Sequence, residues 1–513
     1  MKSQILGSSY VARSTNAADN RMINMFPEIV PEGGKEAGFL SRAPGLRLVK
    51  SVGTGPIRGM WQFAGYAYIV SGKELYKLNM AISSAPTIVG VVTGSGPVSM
   101  ADNGTQLFIA CNPDGFIYNA STDTFAQIID FPGAVTVGYI DGYFVFNEPN
   151  SQKLWTTTLY DGTSVDPLDF ASAEGSPDFL VSLIVDHREV WLFGTNSVEV
   201  WYDSGNADFP LQRISGAFNE IGCQAPYSVA KLDNRLFWLG SDARGRGIVY
   251  GSQGYTGKRV STHAVEFAIQ NYASINDAIA YTYQQEGHAF YVLTFPSANA
   301  TWVYDVATDA WHERGAFVND RFTRHRSNCQ LSFANEILVG DYESGNIYAF
   351  DLDIYSDNGS VQKWLRSWRA LATGHNDLKR TAQHSLQLDC EVGVPLNPTG
   401  HVVSNIYLIT ENGDFIVTEF GDKLTTEESQ DTATGVAAES GTVLLRWSDD
   451  GGHNWSNYHA RSMGKIGETG KRVIWRRLGM TLKLRDRVYE VSGTDPAKIA
   501  IMGAEIAVSA TNA

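Results

Sequence analysis

The most constraining feature of this chain is a phrase that recurs roughly every 40 to 50 residues, in which an aromatic-rich strand runs into a turn of Gly, Asp or Asn. Seven copies are found, centred on Tyr76, Tyr118, Trp155, Trp201, Tyr250, Tyr304 and Tyr348. A repeat of this length that is built from short strands, with no helical unit, is typical of the blades of a β-propeller. The sequence therefore predicts a propeller of six or seven blades, since the third or the fifth module is equally consistent with a connector.

The composition favours an all-β protein. The 513 residues include 50 glycines, which supply turns with positive φ, and 12% aromatic residues, which favour half-buried strands. The first 20 residues lack the apolar region of a secretory signal, and no window holds about 18 consecutive apolar residues, so we expect neither export nor a membrane span. Four distant cysteines without a CxxC pair predict free, buried thiols in a chain that folds in a reducing cytoplasm. They are Cys111, Cys223, Cys329 and Cys390.

Three regions of the chain differ in character. Residues 1–50 hold three prolines and few alternating runs, so we expect an extended N-terminal arm that lies on another surface. Residues 51–359 carry the repeat and are expected to form the propeller. Residues 360–513 contain several clear strands and are expected to form a separate C-terminal β-sandwich. Within it, residues 421–441 are acidic and nearly free of large apolar side chains, which predicts a flexible loop.

Short turns separate the strands of each module. Ala64-Gly65, Asp114-Gly115 and Asp141-Gly142 each fall between two apolar runs, and such dipeptides favour two-residue hairpin turns. We therefore expect each blade to be an antiparallel meander.

The segment from Ser448 to Trp455 matches the Asp-box pattern S-x-D-x-G-x-x-W, with Ser448, Asp450, Gly452 and Trp455 at the fixed positions. In such a turn the Ser and Asp side chains accept hydrogen bonds from turn N–H groups, and Gly adopts a positive φ. The box occurs in sialidases, but it is a folding device that lies away from their chemistry. This chain has one copy, outside the propeller, and lacks an Arg-Ile-Pro segment. We interpret the box as a structural turn.

Recognisable signatures of catalysis are absent from the sequence. The histidines are scattered without HxH or HExxH spacing, which argues against a metal centre. Residues 251–258 have the wrong spacing for a phosphate-binding loop, and there is no GxSxG elbow. A carboxylate pair for glycoside hydrolysis cannot be recognised in a sequence, because the two groups need only meet in space. We expect a protein that is not an enzyme and that needs no cofactor or metal.

One stretch concentrates basic residues. Lys471, Arg472, Arg476 and Arg477 lie in or beside a predicted strand, and Lys483, Arg485 and Arg487 follow it. The stretch is either a solvated sheet face whose cations pair with acidic loops or a docking face for an acidic neighbouring subunit. The formal net charge of −15 argues against a protein that wraps nucleic acid, because such binding needs clustered cations that replace counterions.

Four stretches stand out when the modules are aligned. They are MINMFPE (22–28) with APGL (43–46), GPIRG (55–59) with GKELYK (72–77), GPVSMA (96–101), and KRVIWRRLG (471–479). In order and spacing they resemble the packaged-DNA stabilisation proteins, the tail hub or nozzle subunits of short-tailed bacteriophages. The first stretch resembles that family's N-terminal belt, the next two its first and second blades, and the last a basic-aromatic strand. The acidic residues 421–441 depart from the family's pattern.

The resemblance implies a structural protein of the virion tail that is assembled in the host cytoplasm. It implies a homo-hexameric ring below the portal and adaptor rings, which continues the DNA channel and meets tail fibres or tailspikes and a tail plug or needle. Genomic DNA is then expected to pass through the lumen without sequence-specific binding. An acidic wall suits this role, because salt screens repulsion beyond about 8 Å and DNA is repelled only where it touches.

The arm and the sandwich fall outside the closed ring, so we expect them to dock other subunits. The candidate docking residues are Met25, Phe26, Pro27, Arg472, Arg476 and Arg477. On this interpretation, removing residues 1–45 leaves a folded propeller. Two other classes of protein fit the same fold. One is a carbohydrate-binding or glycosidase-like propeller of a phage tail, which needs aromatic platforms and acids at one pore mouth, and the other is a monomeric interaction propeller.

Overall fold

The structure is a computed structural model that describes residues 1–14, 18–31, 33–80, 84–173, 175–206, 209–371, 380–396, 440–481 and 487–510. Within these ranges nearly all regular structure is β-strand, and a single α-helix, α1, spans His263–Gln270. No helix of the described ranges is long and apolar enough to cross a membrane. All four cysteines are free thiols; three are buried, and Cys329 is partly buried.

The first 51 residues contribute seven strands. β1 to β7 span, in order, Lys2–Ser3, Tyr10–Val11, Asp19–Asn20, Met22–Ile23, Met25–Ile29, Gly38–Arg42 and Gly45–Ser51. β2 and β3 pair with each other, and β5 pairs with β6, whereas β1, β4, β6 and β7 pair with strands from distant parts of the chain.

The next four sheets are antiparallel meanders of four strands, and each is one blade. Blade 1 holds β8 (Ile57–Phe63), β9 (Tyr66–Ser71), β10 (Glu74–Asn79) and β11 (Thr87–Val91). Blade 2 holds β12 (Ser99–Asp102), β13 (Gln106–Cys111), β14 (Asp114–Asn119) and β15 (Thr124–Gln127). Blade 3 holds β16 (Val137–Ile140), β17 (Tyr143–Asn147), β18 (Lys153–Thr156) and β19 (Phe170–Ser172). Blade 4 holds β20 (Leu180–Asp186), β21 (Glu189–Gly194), β22 (Val198–Asp203) and β23 (Leu211–Asn219).

Three further blades complete the set. Blade 5 holds β24 (Gly222–Cys223), β25 (Ala230–Leu232), β26 (Arg235–Asp242), β27 (Gly245–Gln253) and β28 (Thr256–Arg259), and α1 follows it. Blade 6 holds β29 (Ile279–Gln285), β30 (His288–Phe295), β31 (Ala300–Asp305) and β32 (Ala310–Arg314), followed by the small hairpin β33 (Phe317–Val318) and β34 (Arg321–Phe322). Blade 7 holds β35 (Ser327–Phe333), β36 (Glu336–Asp341) and β37 (Asn346–Asp351), and its fourth strand is the N-terminal β7.

The blades close into a ring of seven. Each innermost strand contacts the innermost strand of the next blade, from β8 through β12, β16 and β20, and from β25 through β29 and β35 back to β8. A one-turn 3-10 helix, Pro226–Ser228, joins β20 to this circle. Seven separate hydrophobic clusters fill the seven interfaces between neighbouring blades. The predicted propeller is therefore confirmed, and its number of blades is seven.

The repeated aromatic residue of the sequence occupies the third strand of every blade, counted outward from the centre of the ring. In blade 5 this strand is β27, because β24 and β25 both pair with β26. The hydroxyl or indole N–H of the aromatic residue donates to a carboxylate of the same blade in six of the seven. The pairs are Tyr76 with Glu74, Tyr118 with Asp123 (2.7 Å), Trp155 with Glu148 (3.1 Å), Trp201 with Glu199 (3.1 Å), Tyr304 with Asp309 (2.6 Å) and Tyr348 with Asp341 (2.8 Å). A buried aromatic ring with a polar tip needs such a partner, which explains why the phrase combines an aromatic residue with an acid.

The first hairpin of most blades is a two-residue turn in which both residues have positive φ, the type I′ geometry that matches strand twist. This holds for residues 64–65, 141–142, 187–188, 233–234, 286–287 and 334–335. The turn predicted at Asp114-Gly115 lies two residues earlier, at Asn112-Pro113, and Asp114 already pairs with Cys111 in the ladder. The Asn112-Pro113 turn belongs to the second hairpin of its blade. We name the propeller face that carries the six first-hairpin turns the hairpin face.

The C-terminal region is a β-sandwich. β38 (Ser356–Asp357) and β39 (Ser360–Val361) still extend the sheet of blade 7, where β38 pairs with β7. The sandwich strands that follow are β40 (Trp364–Arg369), β41 (Thr381–Cys390), β42 (Thr442–Ser448), β43 (His459–Ser462), β44 (Val473–Arg476), β45 (Val488–Gly493) and β46 (Ala500–Ala510). One sheet has the order β44-β41-β46-β6-β5, with β1 also on β46. The other has the order β4-β40-β45-β42-β43 and continues directly from β32 of blade 6. A core that includes Met25, Trp368, Trp475 and Ile506 lies between them.

The N-terminal residues differ from the expected arm. β5 and β6 are strands of the sandwich, β4 joins the sandwich to blade 6, and β7 closes blade 7 with register Asn346↔Ser51 to Asp351↔Gly45. A propeller blade or a sandwich sheet that ends on an unpaired strand leaves backbone N–H and C=O groups without hydrogen-bond partners. The strands of residues 1–51 supply these partners, as β7 does for β37 and β6 does for β46. Residues 1–51 thus form a clasp between the two halves, and the term clasp is used for them below.

Candidate interaction surfaces

The basic stretch forms the outermost strand of a sandwich sheet. β44 pairs with β41 on one side, with Ser385 opposite Arg476. Val473 and Trp475 point into the core, which leaves Arg472 and Arg476 exposed on the other side of the pleat. Two side-chain bonds tie this edge to β43 of the facing sheet, from Trp475 Nε1 to His459 O (2.8 Å) and from Arg461 Nε to Ile474 O (3.0 Å). The cations therefore project from a rigid corner of the sandwich.

The cations of this corner differ from those of the sandwich interior. Half-buried Arg446 is paired with Glu490 (2.6 Å), and buried Arg487 is paired with Asp449 (2.6 Å). Within the described ranges, Arg472, Arg476 and Arg477 have no carboxylate at ion-pair distance. Lys483 and Arg485 lie outside the described residues. We define the basic edge as Arg472, Arg476 and Arg477.

Three of the candidate docking residues are interior, which corrects the expectation from the sequence. Met25 is wholly buried in the sandwich core, and Pro27 is buried opposite Leu40. Phe26 packs into the seam between blades 6 and 7, with its ring centroid 5.0 Å from His288 and 5.5 Å from Phe290. Because these side chains are covered by their own chain, they cannot dock another subunit. The apolar run MINMF (22–26) is the sequence signal of a buried strand. The nearby prolines favour an extended arm instead, and the sequence prediction followed them.

The Asp-box lies in the connection between β42 and β43. Ser448 Oγ accepts from the N–H of Gly452 (2.9 Å), and Asp450 Oδ1 accepts from the N–H of Asn454 (2.8 Å). The Ser448 hydroxyl, which donates to Asp450 Oδ1 at 2.6 Å, and the Asn454 N–H hold the pKa of that carboxyl low, at about 2. Gly452 has φ +98°, and the Trp455 ring is covered by the guanidinium carbon of Arg446 at 4.6 Å. All four residues serve the turn, and residues 421–439 of the predicted acidic loop lie outside the described residues.

A buried polar centre joins the clasp, the end of the propeller and the sandwich, and no sequence pattern indicates it. The Arg42 guanidinium donates to the carbonyl oxygens of Tyr355 (2.9 Å), Asp495 (2.7 Å) and Ala497 (2.9 Å). Burial lowers the pKa of Arg42 to about 10. Nearby, burial raises the pKa of Asp357 to about 7, and Gln362 Nε2 donates to this carboxyl at 3.3 Å.

The propeller encloses a central cavity of about 560 Å³. Six of the innermost strands and the 3-10 turn line it, mostly with apolar and tyrosine side chains such as Met60, Met100, Tyr227 and Tyr281. The carboxylate of Asp102, which also lines the cavity, accepts a hydrogen bond from Trp61 Nε1 at 2.9 Å. Among the described residues, no group of three His, Cys, Asp or Glu side chains is placed to hold a metal ion.

Two family models match the chain. The one described as bacteriophage P22 Gp10, β-propeller, matches residues 3–355, and the one described as bacteriophage P22 Gp10, β-sandwich, matches residues 423–509. The first match includes the clasp and covers more than half of the chain. A comparison with curated proteins finds no match.

Solved structures with similar folds are distant in sequence. The N-terminal domain of Nup159 is 9% identical, with a TM-score of 0.40, covering 63% of this chain and 98% of its own. The extracellular domain of a putative hybrid two-component system from B. thetaiotaomicron is 10% identical, with a TM-score of 0.44, covering 87% of this chain and 58% of its own. Likenesses at this level support no functional argument.

Proposed function

The chain belongs to the family of bacteriophage P22 Gp10, phage tail nozzle proteins that stabilise packaged DNA, and from this membership we propose how it acts in the tail. Six copies form a ring below the adaptor, assembled in the host cytoplasm. The ring extends the DNA channel, retains the packaged genome, and docks tail fibres or tailspikes and a plug or needle. It does so as a structural part, without catalysis or a cofactor.

The continuous sheet between propeller and sandwich supports a load-resisting role. β32 of blade 6 is joined through β4 to β40, so hydrogen bonds run from the propeller into the sandwich without a linker. Arg21 of the clasp adds a bidentate ion pair to Glu313 of β32, with contacts of 2.8 and 2.9 Å. A nozzle that holds pressurised DNA needs its parts to keep a fixed relation, and a shared sheet is stiffer than a flexible linker.

The basic edge is the observation that supports the proposed contact between subunits. Three exposed arginines stand on a rigid corner of a chain whose net charge is −15. A second copy therefore carries an excess of negative charge, and patches of opposite charge steer association and fix the orientation of the partners. In a ring each copy offers its basic edge to the next, a head-to-tail contact that closes after a fixed number of steps.

The net charge also fits a channel through which DNA must move. Clustered cations hold DNA by releasing its counterions, and an acidic chain provides no such driving force. Screening at physiological salt limits the repulsion to about 8 Å, so DNA stays mobile at the centre of a wide lumen.

Charge reversal of the basic edge tests the subunit contact. We expect Arg476→Glu with Arg477→Glu to abolish or reduce at least tenfold the incorporation of the protein into tails, while circular dichroism and melting temperature stay unchanged. The matched control is Arg246→Glu with Arg321→Glu, which reverses two exposed arginines of the propeller. Normal incorporation of the first variant would show that the basic edge is a solvated face.

Genome retention tests the role of the whole protein. We expect particles without it to package DNA and then lose it, as measured by nuclease-sensitive DNA in purified heads. Supplying the purified protein to freshly filled heads is expected to restore retention. Particles that hold their genome equally well without it would contradict the nozzle role.

A further inference from the structure

A second site lies on the hairpin face of the propeller, between blades 4 and 5. It is a concave pocket of about 670 Å³. Two aromatic rings, two acids, three basic side chains and two amides share its lining. The lining residues that the argument uses are Asp186, Glu189, Asn234, Arg235, Tyr255 and Lys258.

An aromatic corner forms one wall of the pocket. The Tyr255 ring lies 6.0 Å from the Trp191 ring at an angle of 38°, and 40% of Tyr255 is exposed. Tyr255 Oη donates to Glu189 Oε1 at 2.5 Å, which fixes the tyrosine over the indole. The pocket therefore presents a pre-oriented flat apolar surface with polar groups beside it.

The two acidic side chains of the pocket already have hydrogen-bond or ion-pair partners, whereas its basic side chains Arg235 and Lys258 have no acidic partner among the described residues. Asp186 is paired with Lys231 and with His187 Nδ1 (3.0 Å), and Glu189 accepts from Tyr255. Arg235 uses Nε to bond Ser252 O (3.0 Å), and neither Arg235 nor Lys258 meets a carboxylate among the described residues. The free hydrogen-bonding capacity is thus cationic and amide in character.

We propose that this pocket binds an acidic saccharide. The ligand's carboxylate pairs with Lys258 and the terminal nitrogens of Arg235, since ionic hydrogen bonds of this type are the strong ones. The apolar face of the sugar ring stacks on Tyr255, and the hydroxyl groups bond the amide of Asn234. Pockets of this volume with aromatic walls and a few placed polar groups are the usual form of small-ligand sites.

Other tyrosines on the same face supply an independent observation. Tyr66 follows the first turn of blade 1, and Tyr202 lies opposite Glu189 in the ladder of blade 4. Tyr160 donates its N–H to Gly142 O of the blade 3 turn, is 66% exposed, and has φ +60°, which is strained for a bulky residue. Exposed tyrosines therefore extend beyond the pocket, as an oligosaccharide longer than one ring requires.

The inference is separate from the proposed nozzle role, since the pocket is formed within one copy. The test uses the full-length protein and two probes, trigalacturonate and its fully methyl-esterified form, which differ only in charge. Saturation-transfer NMR detects binding, and calorimetry gives the dissociation constant. We expect trigalacturonate to bind at least tenfold more tightly than the ester.

Three variants locate the binding. Lys258→Gln and Tyr255→Ala are each expected to weaken trigalacturonate binding at least tenfold, and Tyr458→Ala, an equally exposed tyrosine of the sandwich, is expected to leave it unchanged. Absence of binding by the parent protein would overturn the proposal, as would equal binding of the two probes. Binding that survives both pocket substitutions would also overturn it, because the ligand would then sit elsewhere. Genome retention by the Lys258→Gln variant is expected to stay normal, which keeps this test apart from that of the nozzle role.

Discussion

At the scale of single residues, the molecule repeats one device. The aromatic residue of each third strand is buried between blades, and in six blades its polar tip meets a carboxylate, as Tyr304 meets Asp309 at 2.6 Å. The ring supplies apolar area, and the acid prevents the burial of an unsatisfied donor. Six of the seven blades thus carry such an aromatic–carboxylate pair.

Removing one such tip tests its contribution. Tyr304→Phe keeps the ring and deletes the hydroxyl, so we expect a loss of about 1 kcal/mol of stability. Tyr304→Ala also removes the ring and is expected to cost about 3 to 5 kcal/mol. Chemical denaturation followed by tryptophan fluorescence measures both losses. A Phe variant as stable as the parent would mean that the hydrogen bond contributes nothing beyond the bond to water that it replaces.

Asp357 gives a prediction about pH. Burial raises its pKa to about 7, so between pH 4 and pH 7 the folded chain holds a proton that the unfolded chain has released. This group's contribution to stability is therefore full below about pH 4 and declines as the pH rises toward 7. We expect Asp357→Asn, which cannot ionise, to be about 4 kcal/mol more stable than the parent at pH 8 and close to it at pH 4.

The measurement is the difference in melting behaviour between parent and Asn variant at several pH values, because other groups titrate equally in both. A constant difference from pH 4 to pH 8 would contradict the shifted pKa.

At the scale of elements, the clasp is the feature that was not predicted from the sequence. Strand phrases and turns predicted the blades well, because each blade is built from residues that are close in sequence. β7 was not recognised, because its partner β37 lies about 300 residues away and no local pattern reports such a pairing. The sequence leaves the number of blades open between six and seven because the third or the fifth module also fits a connector. The expected surface position of Met25, Phe26 and Pro27 is wrong, because residues far along the chain cover Met25 and Phe26 and Leu40 lies opposite Pro27. The alternation of cations and apolar residues around β44 is a local pattern, so it predicts a strand with an exposed basic side, and the docking role of Arg472, Arg476 and Arg477 stays a prediction.

Deletion of the clasp tests its role. Removing residues 1–51 takes the fourth strand from blade 7 and four strands, β1, β4, β5 and β6, from the sandwich sheets, so we expect insoluble or largely unfolded protein. This differs from the folded propeller expected for a detached arm. Removing only residues 1–4 takes β1 alone and is expected to leave the melting temperature within a few degrees of the parent. A soluble, cooperatively folded product of the larger deletion, judged by circular dichroism and gel filtration, would contradict the clasp.

At the scale of the whole molecule, charge and fold combine into a stiff, acidic body. The net charge is −15, and the basic edge is confined to one corner of the sandwich. We expect the purified protein to bind duplex DNA with a dissociation constant above about 10 µM at physiological salt, since it lacks the cation clusters that release counterions. Fluorescence anisotropy with a labelled 30-base-pair duplex measures this, with an octalysine peptide as the positive control. Sub-micromolar binding with a steep salt dependence would contradict a wall past which DNA slides.

The pairing of the chain's two ends has a consequence for synthesis on the ribosome. β7 must wait for β37, about 300 residues later, and β1 pairs with β46, the last strand, where Lys2 lies opposite Glu505. At about 5 to 20 residues per second, the first strands remain without partners for roughly 15 to 60 seconds. A nascent chain cut short anywhere before its final strand therefore lacks a finished sandwich, and such a product cannot present the corner that bears Arg476. Completion of the sandwich therefore waits until β46 has left the ribosome.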